Sequence, residues 1–133
     1  MTNHSPLAVV RELHRALEDN RSGESLRSLF HADATVVEHP NALKPNGDIV
    51  DVEQLIAASS AGAEMLSSQT YHELSAIAEG DSAALRVRWN GVVAAEVGPF
   101  VLGQELTAHV AQFATVVDGR IARLETYDCY TPF

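Results

Sequence analysis

Two dipeptide turns constrain the second half of the chain, because each lies between long segments in which apolar and polar residues alternate. The turns are Gly80-Asp81 and Asp118-Gly119. Glycine beside aspartate is typical of tight β-hairpin turns, in which at least one residue takes a positive φ. The sequence therefore predicts a meander of long antiparallel strands after residue 69. The predicted strands are Thr70–Ala78, Ala83–Val93, Glu105–Val117 and Arg120–Tyr130.

Helical signals dominate the first half of the chain. Ser5-Pro6 has the composition of a helix start, and apolar residues follow it at helical spacing. Asp51 begins a further helix, Val52–Leu66, with Gln54 three residues later as a capping box. The segments between them predict a short helix, a strand and a loop, respectively Glu24–Phe30, Ala34–His39 and Pro40–Asp48. Helices followed by a meander indicate an α+β domain, with about three helices covering one face of an antiparallel sheet.

Charge and composition exclude several classes of protein. Eighteen acidic residues against nine basic ones leave a formal net charge of −9, which argues against binding to nucleic acids or anionic membranes. No apolar segment is long enough to span a bilayer, and a single cysteine, Cys129, allows no internal disulfide. We therefore expect 133 residues to form one domain, residues 1–133, that is soluble and cytoplasmic.

Strand alternation predicts which side chains of the first hairpin share a face. A two-residue Gly80-Asp81 loop places Leu85 opposite Ala76 and Trp89 opposite His72. The face that contains these pairs is apolar apart from His72. We therefore expect His72 and Trp89 to point towards the helices.

The last hairpin allows two registers. A two-residue loop pairs His109 with Asp128, whereas a three-residue loop with a glycine bulge pairs Ala108 with Asp128. Only the three-residue loop puts the apolar residues of both strands on one face. We therefore predict that Gln112, Thr126 and Asp128 point inward and His109 outward; a bulge farther along these strands would reverse the two faces. No lysine or arginine is expected beside Asp128, so burial should raise the pKa of its carboxyl group, unless a protonated His39 pairs with it.

The order of these elements resembles the nuclear transport factor two-like superfamily, which includes steroid Δ-isomerases and SnoaL-like polyketide cyclases. The segments that carry the resemblance are LFHADATVVEHP, Leu29–Pro40, and VVDGRIARLETYD, Val116–Asp128. The resemblance implies a cone, in which a curved sheet surrounds a pocket covered by helices. It also implies a homodimer through the outer sheet face. The apolar residues expected on that face are Ala111, Phe113, Thr115, Ile121 and Tyr127.

The catalytic positions of these relatives are mostly substituted in this chain. His39 stands before the proline, where the isomerases have their proton-transferring aspartate and the cyclases a polar residue. Leu13 and Ala111 match the two oxyanion-binding residues of the isomerases, so steroid isomerisation by that mechanism is not expected. Gln112 and Thr126 match a histidine and the catalytic aspartate of the cyclases.

The residues that remain form a candidate pocket. His39 and Asp128 are the candidate catalytic residues, and either could act as the base. The candidate substrate-binding residues are His72, Trp89, Gln112 and Thr126. Each also has a plain structural interpretation: His39 as the end of a strand, and His72 and Trp89 as core. Although His39, His72 and Asp128 are metal-ligand types, their spacing does not support a metal site.

Two functions remain open at this point. The first is a cofactor-independent acid–base enzyme, such as an isomerase, cyclase, dehydratase or hydrolase, whose substrate is a mostly apolar metabolite with a carbonyl group or a ring. The second is a ligand-binding or dimerising module without turnover. The sequence does not separate them.

Overall fold

A computed structural model describes residues 5–133 as two α-helices, a 3₁₀ helix and one six-stranded sheet. The helices are α1, Pro6–Glu18, the 3₁₀ helix, Gly23–Leu29, and α2, Val52–Met65. The strands are β1, Phe30–Glu38, β2, Asp48–Asp51, β3, Leu66–Glu79, β4, Ser82–Val93, β5, Glu105–Val117, and β6, Arg120–Tyr130. Among the described residues, no helix has both the length and the apolarity needed to cross a bilayer.

The sheet is curved and open, with the strand order β2-β1-β6-β5-β4-β3. This confirms the predicted α+β cone. Neighbouring strands are antiparallel except β1 and β6, which run parallel, so the sheet is mixed. The short strand β2 lies partly in the segment predicted as a loop, and it pairs with the end of β1 from Thr35 to Glu38.

Both predicted helix starts are confirmed by their hydrogen bonds. The Ser5 hydroxyl accepts a hydrogen bond from the backbone N–H of Ala8 at 3.2 Å. At the start of α2, the Asp51 carboxylate accepts from the Gln54 backbone N–H at 2.8 Å, and the Gln54 side chain accepts from the Asp51 backbone N–H at 3.0 Å. These bonds satisfy N–H groups that have no partner within the helix.

The first hairpin has the predicted two-residue loop, and the predicted pairing of Ala76 with Leu85 is confirmed. Glu79 pairs with Ser82, and Gly80 has a φ of 58°. A β-bulge between Glu73 and Ser75 then shifts the register by one residue. Because one extra residue reverses the alternation of faces, Tyr71 lies opposite Trp89, and His72 lies opposite Arg88. The predicted pairing of His72 with Trp89 is therefore wrong.

The last hairpin has a two-residue loop, so the three-residue loop is wrong. Val117 pairs with Arg120, and Asp118 and Gly119 both have positive φ, as a type I′ turn requires. A bulge at Ala122 then shifts the register by one residue. The bulge restores the face that the longer loop would have given.

The predicted orientations in the last hairpin are confirmed for this reason. Gln112 is buried opposite Thr126, Val110 is buried opposite Asp128, and His109 is exposed. The same bulge turns Ile121 into the core, where it is fully buried, so its predicted place on the outer face is wrong. The other large side chains that are fully buried are Val10, Leu26, Leu85 and Val87.

Candidate functional site

A cavity of about 250 Å³ lies on the face of the sheet that α1 covers. Strands β3, β4, β5 and β6 provide its walls. The lining residues are Gln69, Tyr71, Trp89, Ala108, Val110, Gln112, Thr126, Asp128 and Tyr130. Four of the six predicted site residues are therefore together: Trp89, Gln112, Thr126 and Asp128.

A chain of three hydrogen bonds runs from α1 into this cavity. Nε2 of His14 lies 2.7 Å from Oε1 of Gln112. The Gln112 amide nitrogen donates to the Thr126 hydroxyl at 3.4 Å. That hydroxyl donates to Oδ1 of Asp128 at 2.7 Å. Sequence alternation along β6 places Thr126 and Asp128 on one face, and the pairing of β5 with β6 brings Gln112 beside them.

Asp128 has no positively charged neighbour in the cavity. No lysine or arginine is among the lining residues, and Asp128 makes no ion pair within the described part of the chain. Burial raises the pKa of its carboxyl group, while the hydrogen bond from Thr126 opposes the rise and the negative charge of Glu38 adds to it. The rise predicted from the sequence is therefore confirmed, and burial is its main cause.

Two phenol groups lie in the same cavity. Burial, followed by the charge of Asp128, raises the pKa of both Tyr71 and Tyr130, so both remain protonated at neutral pH. Neither hydroxyl makes a hydrogen bond to another of residues 5–133. Within these residues, every side-chain oxygen or nitrogen that is fully buried has a hydrogen-bond partner, so a hydroxyl without a partner is not fully buried. The two hydroxyls are therefore accessible, and they provide O–H donors to a molecule in the cavity.

Trp89 forms one wall and is held from two sides. Its indole N–H donates to Oε1 of Gln69 at 3.0 Å, and its ring meets Tyr130 edge-on at a centroid distance of 6.1 Å. Gly91 lies directly against the indole ring. A Cβ atom at position 91 would be 2.5 Å from Cη2 of Trp89, so the absence of a side chain leaves the ring its space.

The other two predicted site residues lie outside the cavity. His72 is exposed because the β3 bulge turns it to the outer face. His39 stacks on Tyr127 at 4.0 Å, and its Nε2 lies 2.6 Å from Oε1 of Glu125. Glu125 and Tyr127 alternate with Thr126 and Asp128 along β6, so His39 lies on the opposite face from Asp128. The placement of His39 and His72 in the pocket is therefore wrong.

Three cavity-associated residues were missed by the sequence reasoning: His14, Tyr71 and Tyr130. His14 lies four residues after Val10 within the apolar stripe of α1, and Tyr130 lies two residues after Asp128 on the same face. Both signals could have been used. Tyr71 depends on the β3 bulge, which the sequence does not reveal. Among residues 5–133, no group of three or more His, Cys, Asp or Glu side chains is arranged to hold a metal ion.

The curved mixed sheet and its helix-covered cavity define a member of the nuclear transport factor two-like superfamily. The family model described as SnoaL-like domain matches residues 10–124, so the chain belongs to the SnoaL-like domain family.

Solved structures agree with this fold. IdmH from Streptomyces antibioticus, a candidate polyketide cyclase, is 23% identical with a TM-score of 0.76, over 92% of this chain and 91% of its own. A candidate isomerase from Rhodopseudomonas palustris is 24% identical with a TM-score of 0.71, and the match covers 100% of this chain and 93% of the isomerase. A candidate SnoaL-like polyketide cyclase from Jannaschia is 19% identical with a TM-score of 0.70, and the match covers 92% of this chain and 84% of the cyclase. No curated protein sequence matches the chain significantly.

Proposed function

We propose that this protein is an acid–base enzyme that converts a small carbonyl- or ring-bearing metabolite, with Asp128 as the group that transfers the proton. The observation that carries the proposal is a half-buried carboxyl group without a cationic partner, in a cavity that also presents two accessible phenols. A carboxyl group with a raised pKa holds and releases a proton closer to neutral pH than an exposed one does.

The proposed step uses the three polar groups together. The ionised Asp128 removes a proton from the carbon next to a substrate carbonyl, which leaves Asp128 protonated and the negative charge on the carbonyl oxygen. The hydroxyls of Tyr71 and Tyr130 donate hydrogen bonds to that oxygen. In a β,γ-unsaturated ketone, return of the proton from Asp128 to the γ-carbon moves the double bond and gives the isomer. In a substrate with a second carbonyl, attack of the carbanion on that carbon closes a ring, and the new alkoxide oxygen takes the proton from Asp128.

The walls of the cavity support a small substrate that has both an apolar and a polar part. Ala108, Val110 and the rings of Tyr71, Trp89 and Tyr130 form the apolar part of the lining, and the polar part is about as large. A volume of about 250 Å³ is below the range of about 300–1,000 Å³ that is typical of pockets for drug-sized molecules, so the substrate should be smaller than these. The neighbours described as candidate cyclases and a candidate isomerase support carbonyl chemistry. The proposal requires no cofactor.

The proposal is tested with cyclohexanone, whose α-protons exchange with D₂O and are followed by proton NMR. We expect the wild-type protein to accelerate the exchange and Asp128→Asn to lose about 10²-fold or more of that acceleration, as general acid–base groups contribute. Glu64→Gln, which removes an exposed acid on α2, is the control and should leave the exchange unchanged. Equal rates for wild type and Asp128→Asn would contradict the proposal.

A ligand-binding module without turnover is the second candidate, and the placement of His39 favours it. With His39 on the outer face, Asp128 is the only carboxyl or imidazole group among the described lining residues. An enzyme that needs both a base and a separate acid would lack the second group. Binding of cyclohexanone without exchange would support this candidate.

We propose a homodimer through the outer sheet face. Ile77 is 73% exposed there, Phe113 48% and Tyr127 41%. Two depressions, of about 350 and 280 Å³, both include Ile77 and Phe113. Arg123 and Glu125 lie beside them, so a second copy related by a twofold axis could oppose these charges.

Sedimentation at micromolar concentration tests the dimer, with Phe113→Ser expected to shift the population towards monomer. Val101→Ser, at an exposed apolar residue in the loop between β4 and β5, is the control. A wild-type protein that is monomeric throughout would contradict the dimer. A cytoplasmic location remains part of the proposal and rests on the low cysteine content.

A further inference from the structure

We infer that His14 is a positioning residue, which acts through Gln112 and Thr126 to direct the proton carried by Asp128 to its Oδ2 oxygen. The inference rests on the proposed function, because it concerns how Asp128 handles a proton. It assigns a role to a buried histidine on α1 that does not line the cavity.

The hydrogen-bonded chain has a single direction. The Gln112 carbonyl oxygen can only accept, so Nε2 of His14 must carry the hydrogen across the 2.7 Å contact. The Gln112 amide nitrogen can only donate, so the Thr126 oxygen accepts from it. The ionised carboxylate of Asp128 can only accept, so the one hydroxyl hydrogen of Thr126 lies in the contact with Oδ1. The hydrogen on Nε2 of His14 therefore fixes the orientation of the Gln112 amide, and with it the N–H group that Gln112 donates to Thr126.

This direction determines which oxygen of Asp128 takes up a proton. Oδ1 already receives the Thr126 hydrogen at 2.7 Å, and a proton on Oδ1 would place two hydrogens in that short contact. Oδ2 has no hydrogen-bond partner within residues 5–133, and no fully buried side-chain oxygen lacks a partner. Oδ2 is therefore accessible, and it is the oxygen that can exchange a proton with a molecule in the cavity.

His14 is held so that it can fix this direction. Its ring stacks on Tyr71 with a centroid distance of 4.4 Å and an interplanar angle of 8°. Burial is the main cause that lowers the pKa of His14, and the charge of Arg15 lowers it further. The Gln112 hydrogen bond and the charges of Glu18 and Glu73 oppose this but do not outweigh it. A neutral ring with one N–H is expected at neutral pH. The charge of Glu38 raises the pKa of Asp128, and the charge of Asp128 in turn raises the pKa of Tyr71 and Tyr130.

The first test measures the His14 tautomer in the wild-type protein by ¹⁵N NMR of the imidazole ring. We expect hydrogen on Nε2 and none on Nδ1 at neutral pH. The opposite tautomer would overturn the inference, because Nε2 would then be an acceptor and the Gln112 amide would have to be reversed. This measurement requires no variant and so does not depend on how a variant folds.

The second test follows the ¹³C titration of the Asp128 carboxyl carbon in variants of His14. His14→Phe keeps a flat ring against Tyr71 but removes the donor, whereas His14→Gln keeps a nitrogen donor. We expect the Asp128 midpoint to shift upward in His14→Phe, because the chain that favours the carboxylate loses its fixed direction, and to return towards wild type in His14→Gln. His109→Phe, at an exposed residue on the other face, is the control and should not shift it.

A purely structural role for His14 predicts a different result. It would lower the melting temperature of His14→Phe without moving the Asp128 midpoint, and that outcome would overturn the inference. If His14→Phe does not fold, Thr126→Val and Thr126→Ser make the same comparison at the other end of the hydrogen-bonded chain: valine removes the hydroxyl donor to Asp128, and serine keeps it. A midpoint that shifts as expected, together with α-proton exchange that is unaffected by Asp128→Asn, would uphold the positioning role and reject the proposed enzyme.

Discussion

Replacement of Gly91 by alanine should displace the Trp89 wall of the cavity. The added Cβ would lie 2.5 Å from Cη2 and 2.6 Å from Cζ2 of Trp89, and 3.2 Å from Cδ2 of Leu66. Ordinary contact begins at 3.4 Å, so the indole must move by about 0.9 Å. The neighbouring cavity is the available space, so we expect the ring to move into it.

The energetic cost follows from this displacement. Excess volume in a packed site typically costs about 1–3 kcal/mol. Because the ring has a cavity on one side, we expect the lower end, about 1–1.5 kcal/mol, in the free energy of unfolding. For a chain of this length, a change of 1 kcal/mol moves the melting temperature by about 3–5 °C. The movement should also reduce the cavity and weaken cyclohexanone binding.

Two assays measure the effect. Trp89 is the only tryptophan in the sequence, so fluorescence excited at the red edge of indole absorption, where tyrosine hardly absorbs, reports on this ring. Chemical denaturation gives the free energy of unfolding. Gly62→Ala is the matched control: nothing lies within 4 Å of its added Cβ, and it is in the interior of α2. Alanine there should increase stability by about 0.5–1 kcal/mol through helix propensity.

An unchanged fluorescence spectrum and unchanged stability in Gly91→Ala would refute the reasoning. That result would mean that the indole does not lie against Gly91. A gain in stability equal to that of Gly62→Ala would also contradict it, because the two sites differ in the contacts that an added methyl group makes.

Three further predictions concern stability. Asp51→Ala removes the capping box of α2 and should cost about 0.5–2 kcal/mol in the free energy of unfolding, measured by urea denaturation. Glu73→Gln breaks the ion pair of Glu73, on β3, with Arg11, on α1, and both side chains are partly exposed to solvent. We therefore expect the free energy of unfolding to fall by less than about 1 kcal/mol, and by less still at high salt; a larger loss would contradict this. The raised pKa of Asp128 contributes stability that is present below the ordinary pKa of an aspartate and is lost as pH rises through the raised pKa. Asp128→Asn should therefore melt higher than wild type at neutral pH, with the difference shrinking towards pH 3; a difference independent of pH would show that the carboxyl is not perturbed.

Much of the fold could be predicted because hairpin turns and helix caps are local signals. The bounds Glu105–Val117 and Arg120–Tyr130 agree with the structure, and both caps form as expected. The parallel pairing of β1 with β6 could not be predicted in this way, because it joins segments that are distant in the sequence.

The site was predicted only where β-bulges did not intervene or where they cancelled an error. The bulge at Ala122 compensated for the wrong loop length, so Gln112, Thr126 and Asp128 point inward as expected. No second error cancelled the bulge between Glu73 and Ser75. As a result, Tyr71 lies in the cavity opposite Trp89, where His72 was predicted. Each bulge inserts a single residue, and neither Leu74 nor Ala122 is a glycine or proline that would mark the position, so the sequence alone did not reveal either bulge.

His39 was misplaced for a different reason. The resemblance put a polar residue before the proline into the pocket, but in this chain that residue stacks on Tyr127 and bonds to Glu125 on the outer face. The inward position of β1 at this point belongs to Glu38, which pairs with Thr126. A matching sequence position therefore did not preserve the direction of the side chain.

The most direct test of Asp128 as the proton-transfer group is the titration of its own carboxyl carbon by ¹³C NMR in the wild-type protein. We predict an Asp128 midpoint clearly above the ordinary value of an aspartate, and a downward shift when Trp89→Ala opens the cavity to water. An Asp128 midpoint at or below the ordinary value would contradict the account, because the carboxylate would then be solvated or paired and would be too weak a base for the proposed proton transfer.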